Sequence, residues 1–342
     1  MAYTNIDKSK EHFETTTYTG GATDVSTLNF KPDFVWAKKR SGSENHGLFD
    51  AVRGATKTLS SNATSAESTR SGSLTSFDND GWSMGGSDGI ISASGSTYVG
   101  WAWKANGAGS SNTDGSITST VSANTSSGFS IVSYTGNGTS GATVGHGLGS
   151  APKMIITKTL STVDSWYVYS ESLGNTKRLG LNDTSSEATS STYWNSTTPT
   201  SSVFTLGNNS GNNGSGTAMI AYCFAEKQGY SKFGSYVGNG SSDGSFCYLG
   251  FKPAFIMTKS SNLSNSHWTI FDNKRPSYNS AYRIYPNDSI AESTSEALDI
   301  LSNGFKLRNT STTNNGSGST YIYMAFAEAP LVGSNNVPCT AR

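Results

Sequence analysis

Few side chains in this sequence could carry chemistry. The four histidines (His12, His46, His146, His267) and three cysteines (Cys223, Cys247, Cys339) are all isolated in sequence. None forms a Cys-x-x-Cys pair. An odd, scattered set makes neither a disulfide framework nor a zinc or iron–sulfur site. No metal or cofactor is expected. Serine abounds, yet no Gly-x-Ser-x-Gly elbow precedes a helix, and no glycine-rich phosphate loop follows a strand. Carboxylates recur at more telling places. Asp50 and Asp272 each follow a Phe, with Arg53 and Arg275 three residues on. Glu67, Glu187 and Glu292 recur, and Lys38, Lys158 and Lys259 each end an apolar run. Such a set could form three binding sites or three structural ion pairs. Its persistence where neighbouring loops change favours the structural role. Paired acids for glycoside cleavage stand roughly 5–9.5 Å apart. The spacing places neither Asp78 with Asp80 nor Glu292 with Glu296 in that way. The reading is therefore non-enzymatic, with no catalytic residue named.

Aromatic residues offer a second kind of chemistry. Rings beside amides and hydroxyls suit sugars, whose CH faces stack while their hydroxyls meet the polar groups. The segment STYWNSTTPT supplies Tyr193, Trp194 and Asn195, the candidate ligand-binding residues. Packing in a core is the competing reading for these rings, as it is for Trp166, Tyr167, Tyr169 and Trp268.

Whatever these residues do, a threefold internal repeat positions them. A Tyr-x-Gly turn opens each copy at Tyr18, Tyr134 and Tyr236. Pro32, Pro152 and Pro253 then precede apolar runs (PDFVWAK, PKMIITK, PAFIMTK). Asn62, Asn182 and Asn287 follow, each with a Glu five places on. An aromatic strand closes each copy at Trp103, Phe224 and Phe326. Landmarks are offset by about 120 and then about 102 residues, too long for a solenoid unit. That is the length of a small β-sandwich. Val99, Trp101 and Trp103 alternate onto one strand face, as do Ile220, Tyr222 and Phe224, and Ile322, Met324 and Phe326. The runs after proline are apolar at consecutive positions, which predicts strands buried on both faces. Asn137-Gly138, Asn239-Gly240 and Asn303-Gly304 predict tight turns with positive φ.

The expected fold is all-β, with three tandem related antiparallel sandwich units, lectin-like or jelly-roll-like. The boundaries are an N-terminal arm (1–12), repeat 1 (13–106), a linker or edge strand (107–127), repeat 2 (128–227), repeat 3 (228–330) and a tail (331–342). Fusion into one pseudo-threefold body is the alternative. The short second junction predicts tight packing of repeats 2 and 3, with repeat 1 set apart. Glu292–Leu301 is the best helical candidate.

Composition narrows the class. The 342 residues include 24 Lys+Arg and 24 Asp+Glu, so formal net charge is zero. This argues against a nucleic-acid binder acting through long-range charge. Aromatic residues make up 11%, too many for a disordered chain. No apolar run approaches the length of a membrane helix, and MAYTNIDKSKEHFE does not read as a signal peptide.

The segments MAYTNIDKSKEHFETTTYTG, FKPDFVWAKKRSG, LFDAVRGATKTLSSN, SYTGNGTSGATVGHGLGSAPKMIITK, AEKQGYSKFGSYVGNG and YIYMAFAEAP resemble a family of repeat-containing virion proteins of tailed bacteriophages, many from aquatic hosts. The resemblance runs through nearly the whole chain. It implies a structural protein of the tail or fibre region with lectin-like sandwich units. Such a protein would be assembled in the host cytoplasm and then carried on the extracellular particle. Its expected partners are itself, as a homo-oligomer taken to be a trimer, other virion proteins, and a host-surface glycan. Nucleic acid and membrane insertion are not expected. A capsid decoration or head-fibre protein is the first alternative, and a glycan-degrading enzyme the second. The arm at 1–12 is the candidate docking peptide.

Overall fold

The computed structural model describes residues 3–21, 23–275, 282–295 and 297–338. Cys339 and Glu296 lie outside the described residues. The chain is all-β, as expected. Among the described residues the helical elements are the 3₁₀ turn Ser9–Glu11 and the one-turn helices Ser191–Trp194 and Ser210–Asn213.

Each repeat forms a four-stranded antiparallel core sheet in the same order: opening strand, closing strand, strand after the proline, then the next strand. Repeat 1 uses Phe13–Thr19, Thr97–Trp103, Phe34–Lys39 and Gly47–Asp50. Repeat 2 uses Phe129–Thr135, Ala218–Phe224, Met154–Thr159 and Tyr167–Ser170. Repeat 3 uses Ser231–Val237, Thr320–Pro330, Phe251–Ser260 and Thr269–Asp272. A smaller sheet covers one face of each. It is built on Gly81–Met84 in repeat 1, Val203–Thr205 in repeat 2 and Gly304–Leu307 in repeat 3. The space between large and small sheet holds one core per repeat, around Trp82, Phe204 and Phe305 respectively.

The other faces of the large sheets meet one another. Phe34 and Trp36, Met154 and Ile156, and Phe255 and Met257 lie in a single apolar cluster with the alternating residues of all three closing strands. The strand after each proline is thus buried on both faces because it separates a repeat's own core from this shared one. At its centre the equivalent residues touch. The ring centroids of Trp103 and Phe326 are 5.6 Å apart, Phe224 and Phe326 5.9 Å, and Trp103 and Phe224 6.4 Å. Aromatic pairs prefer such offset and edge contacts, which supply energy beyond area burial.

The shared cluster corrects the expectation that repeat 1 stands apart. Its Phe34 stacks on Tyr222 of repeat 2 at 4.4 Å, and its Phe13 on Phe326 of repeat 3 at 5.2 Å. Spacer length in sequence did not report contact in space. The stretch 107–127 supplies Ser110–Asn112 and Ser119–Asn124, two strands that extend the large sheet of repeat 2, with Ser110–Asn112 as its edge. Glu292–Leu301 is not helical in its described residues. Ser293 bridges Arg283, and Leu298–Leu301 is a strand in which buried Leu298 and Ile300 alternate with half-buried neighbours. Period two prevailed over a short run of helix formers. The arm is also tied down: Ile6 joins the shared cluster and the Tyr3 hydroxyl donates to the Gly250 carbonyl at 2.9 Å.

Gly138 and Gly240 take φ of 70° and 68°, as the turn reading requires. Gly304 does not have positive φ. It is glycine because a Cβ there would stand 2.0 Å from the Cys247 carbonyl oxygen. The glycines of the three Tyr-x-Gly turns are explained likewise: a Cβ on Gly20, Gly136 or Gly238 would meet a backbone oxygen at 2.1, 2.5 or 2.4 Å. Pro253 sits within its strand, at a register shift where a lost ladder donor is tolerated.

Phe224→Ala opens a cavity at the meeting point of three repeats and should cost about 3–5 kcal/mol. Calorimetry should show one transition moved down as a whole. A separate low-temperature transition for repeat 2 alone would contradict a common core.

Candidate functional site: the seams between repeats and the Tyr193 rim

The repeated polar residues gather where one repeat meets the next. Six positions before the last residue of Gly47–Asp50, Tyr167–Ser170 and Thr269–Asp272 stand Glu44, Asp164 and Ser266. Their N–H groups donate to Ser289 of repeat 3, Thr64 of repeat 1 and Thr184 of repeat 2. Two residues on stand His46, Trp166 and Trp268, and their ring nitrogens follow the same cycle. His46 Nε2 lies 3.0 Å from the Tyr285 carbonyl oxygen. Trp166 Nε1 donates to Ser60 at 2.9 Å and Trp268 Nε1 to Gly180 at 2.7 Å. His46 therefore does the work of a tryptophan. Trp36 Nε1 donates to its Nδ1 at 2.9 Å, which leaves Nε2 as the protonated, donating nitrogen. Burial holds its pKa well below the ordinary histidine value.

The Asn and Glu landmarks belong to the same seams. Asn62, Asn182 and Asn287 accept from the N–H of His46, Trp166 and Trp268 at 3.0, 2.8 and 2.9 Å. The N–H groups of Glu67, Glu187 and Glu292 reach Leu160, Ser261 and Arg40 of the neighbouring repeats. The Glu44, Asp164 and Ser266 set and the ring nitrogens donate from 1 to 3, 3 to 2 and 2 to 1. The Glu67, Glu187 and Glu292 set donates from 1 to 2, 2 to 3 and 3 to 1, and each set closes a ring.

The charged clusters differ from seam to seam, and the differences match. In repeat 1, Arg53 pairs with Asp50 and with Glu67, and the Asp50 carboxylate accepts from the Tyr222 hydroxyl of repeat 2 at 2.8 Å. In repeat 3, Arg275 pairs with Asp272 at 2.6 Å and Glu292 at 3.0 Å, and Asp272 accepts from Trp101 Nε1 of repeat 1 at 3.0 Å. Repeat 2 has Ser170 and Leu173 at these positions. In repeat 3, Met324 occupies the closing-strand position of Tyr222 and Trp101, and it has no donor. The acid, the guanidinium and the donor across the seam are thus kept or lost together. Leu173 packs on the shared cluster, and Glu187 pairs with Lys177 at 2.6 Å instead. A buried carboxylate without a partner would be costly, which explains the joint replacement.

Lys38, Lys158 and Lys259 are fully buried. Each Nζ donates to backbone carbonyls: Lys38 to Lys39 and Ser289, Lys158 to Thr159, Lys259 to Ser266 and Thr184. Burial lowers each amine to about 8. The nearby carboxylates of Glu44, Asp164 and Asp183 respectively oppose that shift.

Sugar contact through the rings of STYWNSTTPT requires them at the surface, and Tyr193 and Trp194 are buried. Trp194 is 1% exposed and packs in the repeat-2 core, edge-on to Tyr169 at 5.8 Å. Tyr193 is buried beside Tyr167 at 4.6 Å. Asn195 is half-buried with φ of 51° and accepts from the Ser140 hydroxyl at 2.8 Å. A half-buried side chain that the sequence reading did not single out, Arg178, covers the Tyr193 ring at 5.0 Å and the Tyr167 ring at 5.4 Å. Its buried Nε has no hydrogen-bond partner among the described residues. Residues that the sequence reading paired as possible acids stay structural. Asp78 accepts from the Ser76 and Ser83 hydroxyls, and Glu292 serves its seam.

Two outcomes follow from the seams. Arg53→Leu alone strands the buried Asp50 carboxylate and should cost about 3–5 kcal/mol in denaturant unfolding. Adding Asp50→Ser and Tyr222→Met, which copies the seam between repeats 2 and 3, should restore most of that loss. A triple variant as unstable as the single one would break the account. The lysines set a pH dependence. An unfolded lysine titrates near ~10.4, so between about 8 and that value the unfolded chain binds more protons. Their contribution to stability therefore rises with pH across this window, and below it the full burial penalty persists. The stability of wild type minus that of Lys259→Met should increase from pH 7 to pH 10.5; a constant difference would contradict it.

Comparison with known proteins places this architecture in a family. No curated protein and no solved structure matches the chain. A family model described as a domain of unknown function, DUF7483, matches residues 8–330, which takes in all three repeats. The chain belongs to the DUF7483 family.

Proposed function

We propose that this chain is a non-enzymatic structural protein of a tailed-bacteriophage particle, in the tail or fibre region, and that it contributes to attachment to a host-surface glycan. The observation that carries the reading is where the repeated residues are used. The charges and rings that recur through the sequence are committed to the seams and cores, where they hold three repeats as one body. This is an investment in mechanical and kinetic resilience, which a particle exposed outside the cell requires. The resemblance of the repeats to virion proteins supports the same setting. Many copies on one particle would let weak sugar contacts act together.

The pseudo-threefold body bears on the expected trimer: one chain already presents three related units, so a threefold neighbour can be met without three copies. That observation also suits the second reading, a decoration protein seated at a local threefold position of the capsid. Gold-labelled antibody on intact particles separates the two. Label on the tail supports the fibre reading, and label in a regular lattice over the head would replace it with decoration.

For the glycan, the Tyr193 rim is the candidate surface, with Arg178 and Asn195 exposed enough to touch a sugar and Trp194 beneath as support. Arg178→Ala and Asn195→Gly, the latter keeping the left-handed backbone, should weaken adsorption to host cells with the melting temperature unchanged. Trp194→Ala should instead cost about 3–5 kcal/mol of stability. Full adsorption by both rim variants would remove this surface from the proposal.

A further inference from the structure

The three repeats treat one shared weak point differently. On the opening-strand side, each sandwich ends in two sheet edges, one large and one small, and open edges invite added strands. Repeat 2 closes both with its own insert. Ser119–Asn124 pairs with the large-sheet edge Phe129–Thr135. Ile117 N–H donates to the Thr143 carbonyl of the small sheet at 2.9 Å, and the Ser119 hydroxyl donates to the Gly145 carbonyl at 3.0 Å. Ile117 is buried in the repeat-2 core by this seating. Repeat 1 leaves the corresponding edge polar, with exposed Thr17, Thr19 and Asp24.

Repeat 3 has neither device at the same corner. Ser231–Val237 and Phe246–Tyr248 are both edge strands. Val237 on the large-sheet edge is 56% exposed, and Phe246 and Tyr248 on the small-sheet edge are 46% and 49% exposed. Tyr230 and Gly238 turn their backbone groups inward, to Ala327 and Ser319. The alternation of an antiparallel ladder therefore turns 231, 233, 235 and 237 outward. Ser231 N–H donates to the Lys227 carbonyl, Phe233 N–H to the Glu226 carboxylate, and the Ser245 hydroxyl donates to the Val237 carbonyl at 2.7 Å. This leaves, among the described residues, the Ser235 N–H and carbonyl and the Val237 N–H for pairing. Lys232 Nζ donates to the Tyr248 carbonyl at 2.8 Å, the place Ser119 fills in repeat 2. The Phe246 carbonyl is the counterpart of the Thr143 carbonyl that receives Ile117.

We propose that this corner of repeat 3 accepts an extended strand donated by another protein chain, seated across both sheet edges as residues 116–121 are seated in repeat 2. The occupant's chemistry follows from that template: a short Ser/Thr-rich strand with β-branched apolar residues in the places of Ile117 and Val121. Backbone pairing would supply affinity and the apolar residues selectivity.

The full chain with a synthetic peptide of residues 110–124 tests this, read by amide hydrogen exchange. The peptide should slow the Ser235 and Val237 amides about tenfold or more in a saturable way. A peptide carrying Thr118→Pro should not, and neither should the native peptide added to a chain carrying Ser235→Pro, which removes only an outward donor. No slowing at millimolar peptide would overturn the proposal. So would slowing confined to 129–135, which marks exchange with the chain's own insert. If the corner is already protected without peptide and the chain sediments as a dimer, a second copy fills it and strand donation is wrong. None of these outcomes depends on where the protein sits on a particle.

Discussion

Everything in this structure depends on one burial problem. Each repeat builds a large sheet that is apolar on both faces, and its small sheet covers only one of them. The uncovered face, carrying Trp103, Phe224 or Phe326, finds its cover only in the two other repeats. Three such faces meet, and their equivalent rings contact one another around a common centre. Hydrophobic burial is non-directional, so it explains why the repeats associate and leaves open how they are oriented.

Orientation comes from the polar seams. Backbone N–H groups and ring nitrogens reach the neighbouring repeat at equivalent positions of all three seams, and lysine amines do so at two of them, so the ring of seams closes only with all three repeats present. The third seam shows how tightly the parts depend on one another. Where repeat 2 carries Ser170 and Leu173, repeat 3 offers Met324. Where Asp and Arg remain, a tyrosine hydroxyl or an indole N–H is supplied across the seam. A low-dielectric interface tolerates either a satisfied polar set or an apolar one, and a mixture of the two is penalised.

Much of the fold was readable in the residues. Period two in the closing strands, the consecutive apolar residues after each proline and the Tyr-x-Gly turns all marked real elements, because these patterns reflect local geometry. The shared core was harder to read. A strand buried on both faces looks the same whether its second face meets its own sandwich or a neighbour's. Trp194 misled for a related reason: a tryptophan in a polar loop segment reads as exposed until the loop is seen to fold over a core. Arg178 carried no pattern that would single it out. The seam clusters could have been found by aligning the three copies, since the joint loss of Asp, Arg and the donor across the seam is visible within this one chain. What alignment could not supply was that Asp50 faces Tyr222 and not a residue of its own repeat.

Native-state hydrogen exchange on the three closing strands tests the shared core most directly. If each repeat depends on the others for its cover, the central amides of Thr97–Trp103, Ala218–Phe224 and Thr320–Pro330 can open only when the whole body opens. They should then exchange with one common free energy, equal to that of global unfolding. Closing strands that exchange with clearly different free energies, one repeat opening while the others stay protected, would show that the repeats are separately stable and that the common centre does not hold them together.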